Sequence, residues 1–268
     1  MRPLIKRIAL TIAILLLALV GIALTFGWMK RQHILVAAQE WIESRIVQND
    51  IGAKPPMPDA ASYEVLCAQL QEWRSELYTR HRKAATAAQK EAIENEARVI
   101  LEHSLPAMMR CWIGTKWDFN GIASKPGEGK IACGYFVSTV LRDAGLDVNR
   151  FRLAQQPSSN IIRTFIDKQD TTLAYNQDYE AFVSGMTDQP AGVYICGLDT
   201  HVAFIVNQAD SFRFIHSSGS KPWAVVDESP EEAGVLQRSK TRMLGNLTAN
   251  RDFIRTWLAG KRIKVVRN

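Results

Sequence analysis

Short runs of hydrophobic residues in the second half of the chain predict β-strands. The runs cover residues 192–196, 201–206, 212–217 and 223–227, and turn-forming residues separate them. Earlier in the chain, residues 133–144 keep apolar side chains at helical spacing and are followed by Gly145, which permits a left-handed cap. A helix followed by an antiparallel meander predicts an α+β fold.

Several less regular stretches surround these elements. Helices are predicted over residues 159–167 and 249–259, and the basic residues 261–267 are predicted to form a terminal strand or a tail. The stretch between the first helix and the first strand run is long. It leaves room for an insertion over about residues 153–189.

The region before the α+β part reads as helical. Residues 62–103 contain neither Gly nor Pro, and Leu66, Leu70 and Leu77 fall at helical spacing. The centre of this region, residues 80–92, is nearly all polar or alanine, which fits a helical hairpin or one long helix. This helical region could act as a spacer, as a lid or as a surface that binds a partner. Alternatively, it is a helical layer packed on the following domain.

The N-terminal 33 residues read as a membrane anchor. Residues 8–28 carry no charge, and a helix of that length spans a hydrocarbon core of about 30 Å. A cleaved signal peptide is the alternative, although its apolar region is typically only about 7–15 residues long. Basic residues before the apolar run would keep the N-terminus in the cytoplasm. The predicted organisation is therefore an anchor (1–33), a helical linker or accessory region (34–110) and a catalytic domain (111–268).

Charge and cysteine spacing exclude two classes of function. The chain has 33 basic and 27 acidic residues, a net charge of +6, but the predicted anchor accounts for most of the excess, so nucleic acid is not an expected partner. The cysteines at 67, 111, 133 and 196 have no zinc-ligand spacing, and we expect no metal or other cofactor. Cys67 and Cys111 either pair or remain unpaired thiols, and Cys196 is expected in a strand core.

Cys133 is the strongest candidate for chemistry. It follows a glycine-rich approach and begins a predicted helix, where free amides and the helix dipole favour a thiolate. His201 and His216 lie on adjacent predicted strands. If the connection 207–210 closes as a four-residue loop, these two histidines lie directly opposite one another, with Cβ atoms about 5 Å apart. One imidazole can then orient the other, as in a catalytic triad.

These residues resemble the NlpC-type cell-wall cysteine peptidases, a papain-like group. The resemblance covers about residues 112–218 and rests on Trp117 with Gly121, on Cys133, on His201-Val202 and on His216. It implies a papain-like core in which a helix-borne cysteine packs on an antiparallel sheet. It also implies Cys133 as nucleophile, His201 as general base and acid, and His216 as the orienting residue of a triad that cleaves amide bonds in peptidoglycan stem peptides.

A cytoplasmic N-terminus and a single inner-membrane span at residues 8–28 are expected to place the domain outside the cytoplasm, in the bacterial periplasm. This chain departs from the family pattern around the nucleophile, where it has Ala-Cys-Gly-Tyr rather than Asp-Cys-Ser-Gly. Trp117 also stands where the family commonly has a substrate-binding Tyr. The substrate subsite is therefore less determined than the catalytic residues are.

Substrate-binding candidates are Trp117, Asp118, Gly134 and Tyr135. Gly134 would allow a substrate to approach closely, and Asp118 would line the cleft unless the Asn120-Gly121 dipeptide simply forms a turn, which its turn propensity favours. Two other functions stay open. One is a papain-like acyltransferase or lipid hydrolase, and the other is an anchored, non-catalytic binding or scaffold protein. The sequence does not fix the oligomeric state.

Overall fold

The structure, a computed structural model, describes residues 57–208 and 210–267. Two short strands, β1 (Lys116–Trp117) and β2 (Lys130–Ile131), pair in parallel. The main sheet consists of β3 (Thr171–Tyr175), β4 (Gly192–Leu198), β5 (Val202–Gln208), β6 (Ser211–Ser217), β7 (Val225–Glu228) and β8 (Thr241–Asn246). Its order is β3-β8-β4-β5-β6-β7, and all its neighbouring strands are antiparallel.

Helices precede, interrupt and follow these strands. They are α1 (Ala60–Lys83), α2 (Ala87–Arg110), α3 (Cys133–Asp143), α4 (Arg150–Ala154), α5 (Ser158–Arg163), α6 (Tyr179–Thr187), α7 (Gly234–Arg238) and α8 (Arg251–Ala259), with a 3-10 turn at Lys168–Asp170. The predicted α+β class, with an antiparallel sheet, is confirmed.

Two strands of the main sheet, β3 and β8, were missing from the sequence prediction, as were the two-residue strands β1 and β2. In β3, buried and exposed side chains alternate only weakly, and Leu173 and Tyr175 are exposed. The strand therefore lacks the hydrophobic pattern of a half-buried strand. β8 contains Arg242 and Gly245, which are atypical of a strand interior, yet Arg242 is buried and its guanidinium donates to three backbone carbonyl groups. The terminal residues 261–267 form no strand and make one isolated bridge, from Ile263 to Val148.

The two faces of the main sheet are covered by different helices. On one face, Phe182 of α6 meets Phe212 of β6 with ring centroids 6.4 Å apart, and α7 contributes Leu236 to the same core. On the other face, Phe136 of α3 packs edge-on against Phe204 of β5 with ring centroids 5.9 Å apart. The helix that begins at Cys133 is thus fixed to the middle of the sheet.

The helical region is a hairpin, as one of the two sequence interpretations held. The chain turns between α1 and α2, and Thr86 and Gln89 form a capping box at the start of α2. From α1, Tyr63 packs on Trp112 (5.5 Å between ring centroids), and Trp112 packs on Phe136 (6.2 Å). The hairpin is therefore a layer packed on α3. The domain boundaries at residues 33 and 110 stay predictions.

The cysteines of this layer are unpaired, since all four cysteines of the chain are free thiols. Burial raises the pKa of both Cys67 and Cys111 to about 12. Cys196 lies fully buried in β4, as expected of a strand-core thiol. Across residues 57–208 and 210–267, no helix has the length and apolar character needed to cross a bilayer. The predicted anchor at residues 8–28 lies outside the described residues.

A buried carboxylate joins the hairpin to α8. Glu94 of α2 is 5% exposed and accepts hydrogen bonds from Arg251 (2.6 Å) and Arg255 (2.9 Å), with His81 3.1 Å away. Burial alone would raise the pKa of Glu94, but these partners outweigh it and lower the pKa to about 2. A charge held this way stabilises the fold at pH values above the ordinary glutamate pKa.

Replacing Glu94 by glutamine is expected to lower the free energy of unfolding at pH 7 by about 2–3 kcal/mol, since each pKa unit corresponds to 1.36 kcal/mol. The difference from wild type should shrink as the pH falls from about 4.5 towards 2, because the wild-type carboxylate then becomes protonated. Urea unfolding at pH 7 and pH 3.5 measures both effects. Glu91→Gln, which removes an exposed carboxylate 3.7 Å from Arg251, is the matched control and should change little. Equal losses in the two variants would contradict this account.

Candidate active site

The start of α3 is held from two sides. Ser217, the last residue of β6, donates its hydroxyl to the carbonyl of Ile131 at 2.7 Å, inside the core. The amide of Ala132 donates to the Gly121 carbonyl at 2.9 Å. A Cβ on Gly121 would lie 2.6 Å from the Ile131 nitrogen, so only glycine permits this approach. Cys133, the first residue of α3, is thereby placed beside the end of β6.

Burial dominates the electrostatics of Cys133. It raises the pKa of the thiol above its ordinary value, although the amides of Val202, Gly134 and Cys133 itself form hydrogen bonds that lower it. The helix-start amides thus act in the expected direction, but burial outweighs them. Desolvation penalises the thiolate more than the three N–H groups stabilise it.

The two histidines are in direct contact. His201 Nε2 lies 2.8 Å from His216 Nδ1, and their rings meet nearly at right angles with centroids 4.8 Å apart. His216 is fully buried, and His201 precedes β5 and reaches the cleft.

The predicted register of these strands is wrong by two residues. Phe204 pairs with Ile215 and Gln208 with Ser211, so the ladder, if continued, would bring Ala203 and not His201 opposite His216. Only two residues connect the strands, rather than the predicted four. The even shift keeps both histidines on one face of the sheet, and this explains why the contact forms as a diagonal one.

Glu228 contacts the other ring nitrogen of His216. Its Oε2 lies 3.1 Å from His216 Nε2. A carboxylate only accepts, which assigns the proton of His216 to Nε2 and leaves His216 Nδ1 to accept from His201 Nε2. The remaining nitrogen of His201, Nδ1, then carries a lone pair. Glu228 was not predicted, because the predicted strand ended at residue 227 and β7 extends to Glu228.

His201 is held in its neutral form. Burial, followed by the electrostatic effect of the adjacent His216 ring, lowers the pKa of His201 to about 3. Because the Cys133 pKa is raised and the His201 pKa is lowered, the resting site contains a thiol and a neutral imidazole rather than an ion pair. Such a site needs general-base transfer of the proton when the thiol attacks.

Cys133 and His201 line one cleft with a volume of about 880 Å³ at the end of the sheet where β5 begins and β6 ends. Its lining residues are Trp117, Phe119, Asn120, Ile122, Ala132, Cys133, Gly134, Tyr135, Ala154, Gln155, Gln156, Pro157, Thr200, His201, Gly219, Ser220 and Val235. Three of the predicted substrate residues, Trp117, Gly134 and Tyr135, thus line the same cleft as Cys133 and His201.

Asp118 and Gly134 have different surroundings from those expected. Asp118 is not among the lining residues: it accepts a hydrogen bond from the Asn120 amide and pairs with Lys130, which holds the turn ending at Gly121. A Cβ on Gly134 would collide with the Ala154 carbonyl oxygen. The glycine is therefore required for the packing of α4 against α3, in addition to its place in the cleft.

Comparisons with family models, with curated proteins and with solved structures find no match to this chain.

The raised pKa makes a prediction about the reactivity of Cys133. Alkylation of this thiol by iodoacetamide in the folded protein should be slow at pH 7 and should still be rising above pH 9, because only the thiolate reacts. Site-resolved mass spectrometry after timed alkylation gives the rate. Cys196, which is fully buried, is the internal control and should stay unlabelled until the protein unfolds. A Cys133 rate that levels off below pH 8 would show a depressed pKa instead.

Proposed function

We propose that this chain is a cysteine hydrolase that cleaves amide bonds, with Cys133 as nucleophile and His201 as general base and acid. The observation that carries the proposal is the hydrogen-bond chain from Glu228 through His216 to His201, which ends in the cleft that Cys133 lines. A half-buried carboxylate that fixes the tautomer of one imidazole, and through it that of a second, has the character of a catalytic relay.

Acylation begins when His201 Nδ1 removes the proton of the Cys133 thiol. The sulfur forms a bond to the substrate carbonyl carbon, and the π electrons of the carbonyl move to its oxygen. Amides of the first turn of α3, which no N-cap side chain engages, supply donors for this oxyanion once the sulfur has bonded to carbon and carries no negative charge. When the carbonyl re-forms, the C–N bond breaks and His201 gives its proton to the leaving amine.

Deacylation repeats the sequence with water. His201 removes a proton from water as the hydroxyl attacks the thioester carbon, and the C–S bond then breaks. The proton on His201 returns to the sulfur, which restores the neutral thiol. His216 and Glu228 are positioning residues in both halves, since they hold the ring and stabilise the imidazolium without touching the substrate.

The proposed substrate and place of action rest on the sequence resemblance described above. We propose a papain-like, NlpC-type enzyme anchored in the bacterial inner membrane by residues 8–28, with residues 111–268 in the periplasm and the stem peptide of peptidoglycan as substrate. Support comes from the order of the elements, in which a cysteine-bearing helix precedes two antiparallel strands, one that directly follows His201 and one that contains His216. The uncharged stretch at residues 8–28 supports the anchor.

Hydrolysis is expected to depend on the thiol. Cys133→Ala in the full-length chain should lower kcat by about a thousandfold or more, since loss of a nucleophile removes the covalent route. Incubation with peptidoglycan digests, followed by mass spectrometry of released fragments, measures this directly. Cys196→Ala, at a buried thiol away from the cleft, is the control. Equal release by wild type and Cys133→Ala would refute the mechanism.

The expected pH dependence of kcat/KM follows from the shifted pKa values of His201 and Cys133. The active form has neutral His201 and a protonated thiol, so kcat/KM should stay level from about pH 8 down to about pH 5, below the ordinary histidine pKa of about 6.5. The lowered His201 pKa, about 3, sets the acid limb, and the raised Cys133 pKa puts the alkaline limb above 9. Initial rates on one substrate across this range give the profile. Half-loss near pH 6.5 would show that the base titrates normally.

A substitution at Glu228 tests the proposed hydrogen-bond chain from Glu228 through His216 to His201. Glu228→Gln should lower kcat by about 10–100-fold with little change in KM, because a glutamine keeps the shape but not the charge that fixes the His216 tautomer. Glu180→Gln, at an exposed glutamate in the first turn of α6, is the matched control. A thermal unfolding curve for each variant separates this effect from loss of fold. An unchanged kcat in Glu228→Gln would remove the carboxylate from the mechanism.

A further inference from the structure

A second cleft, with a volume of about 730 Å³, lies along the basic residues 261–267. Four cations line it, Arg152 of α4 and Arg262, Lys264 and Arg267 of that segment, and none of the described lining residues is acidic. No acidic residue occurs among the sequence neighbours of this lining either, which are 148, 150, 151, 153, 261 and 268. We call it the basic cleft. Three of its cations lie outside residues 112–218, so the resemblance described above assigns them no role.

The cations of the basic cleft are poorly compensated. Arg262 forms an ion pair with Asp147 at 3.2 Å, but the two side chains are 72% and 48% exposed, and water screens such a pair. Within residues 57–208 and 210–267, Arg152, Lys264 and Arg267 pair with no carboxylate. Like charges placed together repel one another, and an anion that binds among them offsets this repulsion.

The basic segment 261–267 is held in place. The amide of Ile263 donates to the carbonyl of residue 147 at 2.9 Å, and the amide of Val266 donates to the Thr164 hydroxyl at 3.1 Å. The exposed cations of the segment therefore extend from a backbone that is fixed at two points. An anion that binds there does not have to order the backbone first, which lowers the entropic cost of binding.

Helix α4 separates the basic cleft from the catalytic cleft that Cys133 and His201 line. Arg152 of this helix lines the basic cleft, whereas Ala154 and the two glutamines that follow it line the catalytic cleft. With five residues, α4 is only about 7.5 Å long. An extended ligand of about four residues is long enough to reach across it.

The surface between the two clefts is aromatic and braced. Phe151, which precedes Arg152 and is 52% exposed, meets Tyr135 of the catalytic cleft edge-on with ring centroids 5.8 Å apart. The buried guanidinium of Arg150 lies 5.0 Å from the centre of the Tyr135 ring and 5.2 Å from that of Phe151. It also donates to Thr139 and to the carbonyl groups of residues 122 and 123, which fixes it behind both rings. A ligand that leaves the catalytic cleft over these rings arrives at Arg152.

The uncompensated charge beside the catalytic cleft is also positive. Lys116 and Lys221 are sequence neighbours of its lining and are exposed, and no carboxylate in the described part of the chain pairs with either. The two acidic neighbours of the lining already have partners. Asp118 pairs with Lys130 at 3.0 Å, and Asp199 accepts hydrogen bonds from the amides of residues 240 and 241.

We propose that the basic cleft is an exosite for an acidic substrate, in which Arg152, Lys264 and Arg267 bind carboxylates that lie beyond the amide bond cleaved at Cys133. This inference rests on the proposed function and names its substrate class, peptides or glycopeptides with carboxylates a few residues from the scissile bond. Guanidinium groups suit carboxylates because they offer two parallel N–H donors. The short distance across α4 favours a segment of the substrate over a ligand unrelated to the reaction.

A matched pair of substrates tests the exosite on the full-length chain in a neutral detergent. One is a disaccharide tetrapeptide purified from a peptidoglycan digest, and the other is the same compound with its carboxylates converted to methylamides. The acidic form should exceed the methylamide in kcat/KM by at least about tenfold, mainly through a lower KM, because the exosite contributes binding energy away from the reacting atoms. This ratio should fall at high salt, since the cations are exposed.

Charge reversal in the basic cleft should remove the preference. In Lys264→Glu/Arg267→Glu the acidic-to-methylamide ratio of kcat/KM should fall by about tenfold or more, because carboxylates then meet like charges. Lys83→Glu/Lys90→Glu reverses two exposed lysines of the helical hairpin that line neither cleft, and it should keep the wild-type ratio. Thermal unfolding of both variants shows that each is folded.

Binding to Cys133→Ala, measured by isothermal titration calorimetry, gives a readout that needs no turnover. The acidic form should bind this variant more tightly than the methylamide, and adding Lys264→Glu/Arg267→Glu should abolish the difference. Soluble dihexanoyl phosphatidic acid and inorganic pyrophosphate serve as probes for a phosphate-bearing lipid and for free phosphate.

The outcomes separate the exosite from the proposed function. Hydrolysis with a ratio near one, or with a ratio that charge reversal does not change, would overturn the exosite and leave the hydrolase standing. A binding preference that charge reversal abolishes, without turnover by wild type, would uphold the exosite and overturn the hydrolase. Binding of either phosphate probe in place of the acidic substrate would assign the cleft to a lipid or to free phosphate and overturn the exosite. Neither binding nor turnover of the substrate pair would overturn both.

Discussion

The hydrogen bond from Ser217 to the Ile131 carbonyl joins the two parts of the molecule that the site requires. Ser217 follows His216 on β6, and Ile131 precedes Cys133 by two residues. One buried bond therefore fixes the strand that carries the orienting histidine to the segment that carries the thiol. The aromatic contact between Phe136 and Phe204 holds the same helix to β5, the strand that follows His201. Together these contacts allow a helix start and two strand ends to meet within one cleft.

Desolvation raises the pKa of the Cys133 thiol and lowers the pKa of the His201 ring. It favours the thiol of Cys133 and the neutral ring of His201, so both groups are uncharged at neutral pH. The N–H groups directed at the sulfur offset part of this cost. A site of this kind is less reactive towards small electrophiles than an exposed thiolate, and it depends on the imidazole relay when charge develops.

The sequence predicted which residues and strands form the candidate site more fully than it predicted how they contact one another. Hydrophobic runs located β4 to β7 to within about two residues, because strands with a buried face carry a strong pattern. They could not locate β3 and β8, since one is exposed and the other buries an arginine whose partners are distant in sequence. The contact between His201 and His216 was expected from strand adjacency, but its register depends on turn length. The position of Glu228 beside His216 and the close approach of the Ala154 carbonyl to Gly134 result from tertiary packing, which the periodicity of the sequence does not encode.

The row of rings from Tyr63 through Trp112 to Phe136 has a consequence for how small a working fragment of this chain can be. Trp112 is fully buried, and it is covered by α1 on one side and by α3 on the other. A fragment that starts at residue 111 would expose this indole and the apolar face of the nucleophile helix to water. The minimal autonomous unit therefore begins before α1, and the hairpin belongs to the core of the fold rather than to an appendage that can be exchanged.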